Sequence, residues 1–249
     1  MVGNRGSDSA LTGARILRGF CLSLVLGAWA FAPGLTPRHA VAQDLEQVPA
    51  FIVQQYLDAA ESGDARAQFR LGLLHERGLI PGPDPQAEAA RWFELAADGG
   101  HAAAQFKRAT MYAEGRGGPE DQAAAVALYR LAAEQGLGEA QFNLALHLQN
   151  GIGTDRNIGD AILWYEQAAF RRIAGAPRAL GLLYLSDVGE TPNDRIEAWA
   201  WLTLAADEGD ALADTHLNDL EGSLSAVELE EARQLAAAYR QLRLVPVGG

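Results

Sequence analysis

The chain has 249 residues, 49% of them hydrophobic, and carries 20 Lys and Arg against 32 Asp and Glu, a formal net charge of −12. Such an acidic chain is repelled by nucleic-acid phosphates and by anionic membrane surfaces. With Cys21 as its single cysteine, an internal disulfide framework is excluded.

At the N-terminus, Arg5, Arg15 and Arg18 precede an apolar run, Phe20 to Ala32. As a helix that run would span about 20 Å, short of the roughly 30 Å hydrocarbon core of a bilayer. Ala40-Val41-Ala42 then places small residues at the −3 and −1 positions of a cleavage site. The pattern predicts a signal peptide over residues 1–42 and a mature chain starting at Gln43. Cleavage would remove four arginines, one aspartate and Cys21, leaving 16 basic and 31 acidic residues and a net charge of −15. The expected location is periplasmic or secreted, with no membrane span after cleavage.

Residues 43–63 contain AFIVQQYLDAAE at 50–61, which predicts an N-terminal capping helix. A tripeptide then recurs, as Ala67-Gln68-Phe69, Ala104-Gln105-Phe106 and Ala140-Gln141-Phe142. Many more columns recur with it. Leu71-Gly72, Arg108-Ala109, Leu144-Ala145 and Leu180-Gly181 align, and Gly78, Gly115 and Gly151 follow. After a loop come Ala89, Ala125, Ala161 and Ala198, then Trp92-Phe93, Leu128-Tyr129, Trp164-Tyr165 and Trp201-Leu202. Offsets of 3, 4, 7 and 8 within each half are helical. Each unit is therefore two amphipathic helices, A and B, with a glycine stopping A in the left-handed conformation.

Four units span 64–100, 101–136, 137–172 and 173–209. Asp84-Pro85 and Gly118-Pro119 are read as openings of helix B, and Asp84, Asp121, Asp155 and Asp194 as acidic residues near its start. Local departures are Arg108 in a leucine column, Arg171-Arg172 where a glycine is expected, Pro177 for glutamine and Asp187 for glycine. Residues 210–249 read as a fifth, degenerate helix A, a last helix opened by a Ser225-to-Glu228 capping box and running to about Gln241, and a tail. Two short helices cannot bury their apolar stripes alone, so the units must stack. The fold class expected is all-α, a right-handed α-solenoid with helical caps.

A helix pair of about 36 residues carrying AQF, a Leu-small pair, Gly, Trp-Tyr and Ala-Ala in these columns closely resembles the Sel1-like repeat, a relative of the tetratricopeptide repeat. The resemblance covers roughly residues 64–209. It implies an exported, non-enzymatic scaffold, adaptor or regulator of the bacterial cell envelope, binding one or more envelope proteins. Two alternatives stay open: an envelope enzyme or peptidoglycan- or β-lactam-binding protein of this class, and a structural subunit of an envelope assembly.

Chemistry-bearing motifs do not support catalysis. His75, His101, His147 and His216 lack the spacing of a metal site, no Gly-x-Ser-x-Gly elbow is present, and Gly115-Arg116-Gly117-Gly118 follows a helix without a Lys-Ser/Thr pair. No cofactor, metal or nucleic-acid partner is expected. The candidate site is instead the inner face of the A helices, predicted to hold a peptide or helix on Phe69, Leu73, Phe106, Thr110, Phe142, Leu146, Arg178 and Leu182. Apolar anchors in a concave channel suit such ligands.

Overall fold

The computed structural model describes residues 48–188 and 192–244. The predicted signal peptide, residues 43–47 and the last five residues lie outside the described part. The described residues form eleven α-helices and one π-helical turn, with no strand among them. Helix α1 (Ala50–Glu61) is followed by four A/B pairs. These are α2 (Ala65–Glu76) with α3 (Pro85–Asp98), α4 (Ala102–Glu114) with α5 (Gln122–Glu134), α6 (Gly138–Asn150) with α7 (Ile158–Phe170), and α8 (Ala176–Leu183) with α9 (Pro192–Asp207). Helices α10 (Ala211–Glu221) and α11 (Ala226–Leu242) close the chain. Each helix from α1 to α9 packs on the next, and α11 packs back on α9, the nearest-neighbour contact pattern of an α-solenoid.

The small residue after the leucine column sets the A–B distance. A Cβ on Gly72 would lie 2.5 Å from Cε1 of Phe93, and one on Gly181 would lie 2.5 Å from Cγ of Leu202. Ala109 and Ala145 hold the same column in the middle units and are fully buried. The alanines and aromatics of the B helices fill the space between layers, with Phe93, Tyr165, Trp201 and Leu202 almost without solvent contact.

Helix ends follow local chemistry, with two corrections to the sequence reading. Asp84 accepts from the backbone N–H groups of Gln86 and Ala87, with Pro85 beginning α3. The N-cap of α5 is Asp121, whose carboxylate accepts from Ala124 N–H at 2.9 Å, so Gly118-Pro119 belongs to the preceding loop. The third B helix is capped by Asn157, which accepts from Asp160 N–H, and not by Asp155. A side chain two residues nearer the free N–H groups reaches them directly. Ser225 and Glu228 form the expected capping box, and α11 runs to Leu242, one residue past the expected end at Gln241.

The departures also have physical outcomes. Arg108, in the leucine column, lies over the Tyr112 ring at 3.6 Å and pairs with Glu94 on the preceding B helix. Arg172 adopts φ 60° at the turn where the other units place Gly100, Gly136 and Gly209. Where Asp187 replaces the glycine, helix A runs on into the π-helical turn Tyr184–Val188.

Candidate functional site

Glutamine of the AQF tripeptide makes a joint between units. Gln68, Gln105 and Gln141 are buried, and their Nε2 groups donate to the carbonyls of Ala60, Ala97 and Ala133 at 3.0, 3.3 and 3.1 Å. Each acceptor lies eight residues back, at the end of the preceding B helix or of α1. Those carbonyls also receive the backbone N–H of Gly63, Gly100 and Gly136. A helix end otherwise leaves its last carbonyls without partners. In the fourth unit Pro177 is fully buried at this position, and its ring has no donor to offer.

Phenylalanine of the tripeptide is tied into the A–B interface. Phe69 stands 5.7 Å from Phe93 and stacks on His101 at 4.5 Å, Phe106 stands 5.8 Å from Tyr129, and Phe142 meets Tyr165 edge-on at 5.4 Å. All three phenylalanines are half-buried. The sequence reading put them opposite the core contact; their rings instead bridge from that contact to the surface. The arginine of the same column in unit four, Arg178, donates to Asp210 at 2.6 Å and so holds the N-cap of α10.

About one turn along, Leu73 and Leu182 are half-buried and Leu146 is 38% exposed. Thr110 donates its hydroxyl to Phe106 O at 3.0 Å and accepts from the Tyr129 hydroxyl at 3.2 Å. Tyr165 donates to Gln149 at 3.0 Å. Burial raises the Tyr129 and Tyr165 phenols, so both stay protonated donors at this face. At its first joint the face is edged by Glu76, which accepts from Lys107 at 2.9 Å and from Arg116 at 3.5 Å. The predicted residues thus fall in repeated columns on the A helices, as apolar surface backed by aromatic rings and edged by ion pairs.

Burial lowers His75 and His101, which favours their neutral forms. His147 Nδ1 faces Ile152 O at 3.0 Å, a contact that needs that nitrogen to carry the proton. Among the described residues no three His, Cys, Asp or Glu side chains gather to hold a metal ion. No described helix is long and apolar enough to cross a membrane.

A second cluster was not anticipated from sequence. Glu166 of α7 and Glu197 of α9 lie near Tyr184 and Tyr239, and the Tyr239 hydroxyl donates to Glu197 at 2.9 Å. Burial, and then the charge of Glu197, push Glu166 above the usual carboxylate range. Burial also raises Glu197, against the hydrogen bond from Tyr239. Tyr184 is pushed up to about 12 by burial and by the charges of Glu197, Glu166 and Asp194. A sequence signal existed in the form of acidic residues in B-helix columns beside buried aromatics.

The family model for the Sel1 repeat matches residues 65–101, 102–137, 138–169 and 178–210. Among solved structures, a Sel1 repeat protein from Oxalobacter formigenes is 26% identical with a TM-score of 0.64, covering 81% of this chain and 83% of that one. A protective antigen of uropathogenic Escherichia coli strains, which displays an SLR fold, is 27% identical with a TM-score of 0.47, covering 77% of this chain and 48% of the other. Comparison with curated proteins gives no match.

Proposed function

The chain belongs to the Sel1 repeat family, a family of protein-interaction scaffolds, and from that premise we propose that it is an exported, non-catalytic adaptor or regulator of the bacterial cell envelope. Its partner is an envelope protein, held as a peptide or helix along the A-helix face by Phe69, Leu73, Phe106, Thr110, Phe142, Leu146, Arg178 and Leu182. The observation that carries this reading is the phenylalanine column, three half-exposed rings at a 36- to 37-residue interval, each fixed from behind by an aromatic neighbour. Rings held in place lose little further freedom on binding, which favours their use as anchors. The run from Phe20 to Ala32 and the Ala40-Val41-Ala42 sequence support export.

The test is capture in living cells from a photoreactive residue placed at Phe142, with Glu230 on α11 as the control position. One protein trapped from 142 and absent from 230 is the expected result. Equal capture from both positions, or none from either, would overturn the assignment of this face. Mass spectrometry of the purified chain checks export separately, the expected N-terminus being Gln43.

A further inference from the structure

Helix α11 shows what covers the outer face of a B helix, the side turned away from the A layer. It packs on α9, burying Ala200 and Leu204, and its Tyr239 ring stacks on Trp201 at 4.3 Å. Arg195 and Glu228 approach to 3.8 Å near the two N-termini. Near the C-termini Arg240 donates to Asp207 at 2.6 Å, and Arg243 pairs with Glu208. The two helices therefore run side by side in the same direction, with arginines of the covering helix over acidic residues of the covered one.

The same face occurs a second time without a cover. By the repeat alignment, Ala200, Trp201, Leu204 and Asp207 of α9 correspond to Ala127, Leu128, Leu131 and Glu134 of α5. On α5, Ala127 and Glu134 are exposed, Leu128 is half-buried and Leu131 is 47% exposed. The B helices before and after it expose Leu95 at 41% and Leu163 at 56%. In the column of Leu95, Leu131 and Leu204 the leucine is buried on α9, where α11 lies on it, and open to water on α3 and α5, while Leu163 stands in the neighbouring column of Ala127 and Ala200.

We propose that the outer face of α5 docks an amphipathic helix of a partner protein in the register that α11 takes on α9. The docking helix presents small and aromatic residues to Ala127 and Leu131, and Arg or Lys in its last turn to Glu134. Two observations specify this occupant. The chain's own covering helix has that composition, with Ala232, Ala236 and Tyr239 inward and Arg240 and Arg243 at its end. The chain's net charge of −12 favours a basic ligand over an acidic one. This surface lies on the opposite layer from the phenylalanine column, so the two can be occupied independently.

The probe is a fluorescently labelled peptide of residues 222–244, titrated into the full chain and followed by anisotropy. Binding is expected, weakened about tenfold or more by Leu131→Glu and unchanged by Leu212→Glu on α10, where the side chain is 61% exposed. Reversing the charge of Arg240 and Arg243 in the peptide is expected to weaken binding as well. If Leu131→Glu does not fold by circular dichroism, Ala127→Glu on the neighbouring exposed turn takes its place. Absence of binding, or binding indifferent to both α5 substitutions, would overturn the proposal. So would a dimer of the unliganded chain that Leu131→Glu abolishes in sedimentation, because the face would then belong to a second copy.

Discussion

Gln141 lies eight residues after Ala133 and donates its amide to that carbonyl at 3.1 Å, joining the third unit to the second. The side chain is fully buried, and its Nε2 also donates to Gln167 at 3.1 Å. Gln141→Ala removes a buried donor and leaves a void, and should cost about 1–3 kcal/mol in urea denaturation. Gln141→Leu keeps most of the volume and removes the amide, both the Nε2 donor and the unpartnered buried Oε1. If the leucine variant is as stable as the parent, volume and not the hydrogen bond holds the joint.

Gly181 is set against Leu202 so closely that a Cβ would meet Cγ at 2.5 Å and Cδ2 at 2.9 Å. Leu202 is itself fully buried, with little room to move aside. Gly181→Ala should therefore destabilise by about 1–3 kcal/mol. Gly82→Ala, where a Cβ meets nothing within 4 Å, is the control and should stay within about 0.5 kcal/mol. Equal stability of the two variants would mean that the fourth unit tolerates a wider helix spacing.

Arg172 holds φ 60° where the equivalent turns use glycine. An L-residue in that conformation is destabilised by roughly 1 kcal/mol or more relative to glycine, partly offset by the greater freedom of unfolded glycine. Arg172→Gly should stabilise the chain by a few tenths to about 1 kcal/mol, seen as a higher midpoint in urea. A lower midpoint would show that the arginine side chain contributes more than its backbone costs.

Much of this architecture was legible in the sequence because helix pairing leaves periodic marks. Leu71, Ala89 and Trp201 sit in columns whose spacing alone assigns them to buried stripes. The role of Gln68, Gln105 and Gln141 was not legible, since a glutamine beside an apolar residue looks the same whether it faces water or a carbonyl eight residues back. The phenylalanine column was placed on the correct helix, but period alone does not say that Phe142 leans on Tyr165. The site of α11 was hidden for a related reason. Its apolar stripe shows that it packs, and only the pairing of Arg240 with Asp207 shows on what.

Burial holds Glu166 and Glu197 above the ordinary carboxylate range. A group whose folded pKa is raised favours folding where its proton is on. That contribution is full below the unfolded pKa and is lost as pH rises through the folded one. Glu197→Gln keeps an oxygen for the Tyr239 hydroxyl and has no charge to bury. It should raise the melting temperature at about pH 8 and lose that advantage as pH falls toward about 4, the ordinary carboxylate pKa. Asp210 works in the opposite direction: desolvation raises it, but the hydrogen bond and charge of Arg178 and the N–H of Leu212 hold it low. Its contribution is lost in acid, so the comparison is made between variant and parent at each pH. A constant offset at all pH values would separate Glu197 from the titration.

Leu146 is 38% exposed, so Leu146→Glu should leave stability within about 0.5 kcal/mol. Any partner captured from position 142 should nevertheless be lost. Retained capture would move the binding contacts away from the leucine column.

The glutamine joints all point one way, each from an A helix to the helix made before it. A chain lengthening from its N-terminus therefore brings every new donor to an acceptor already in place. Growth in the other sense would present amides to helices not yet made. Order of synthesis and order of stacking coincide, and a half-finished chain has, at every stage, a completed surface for the next unit to join.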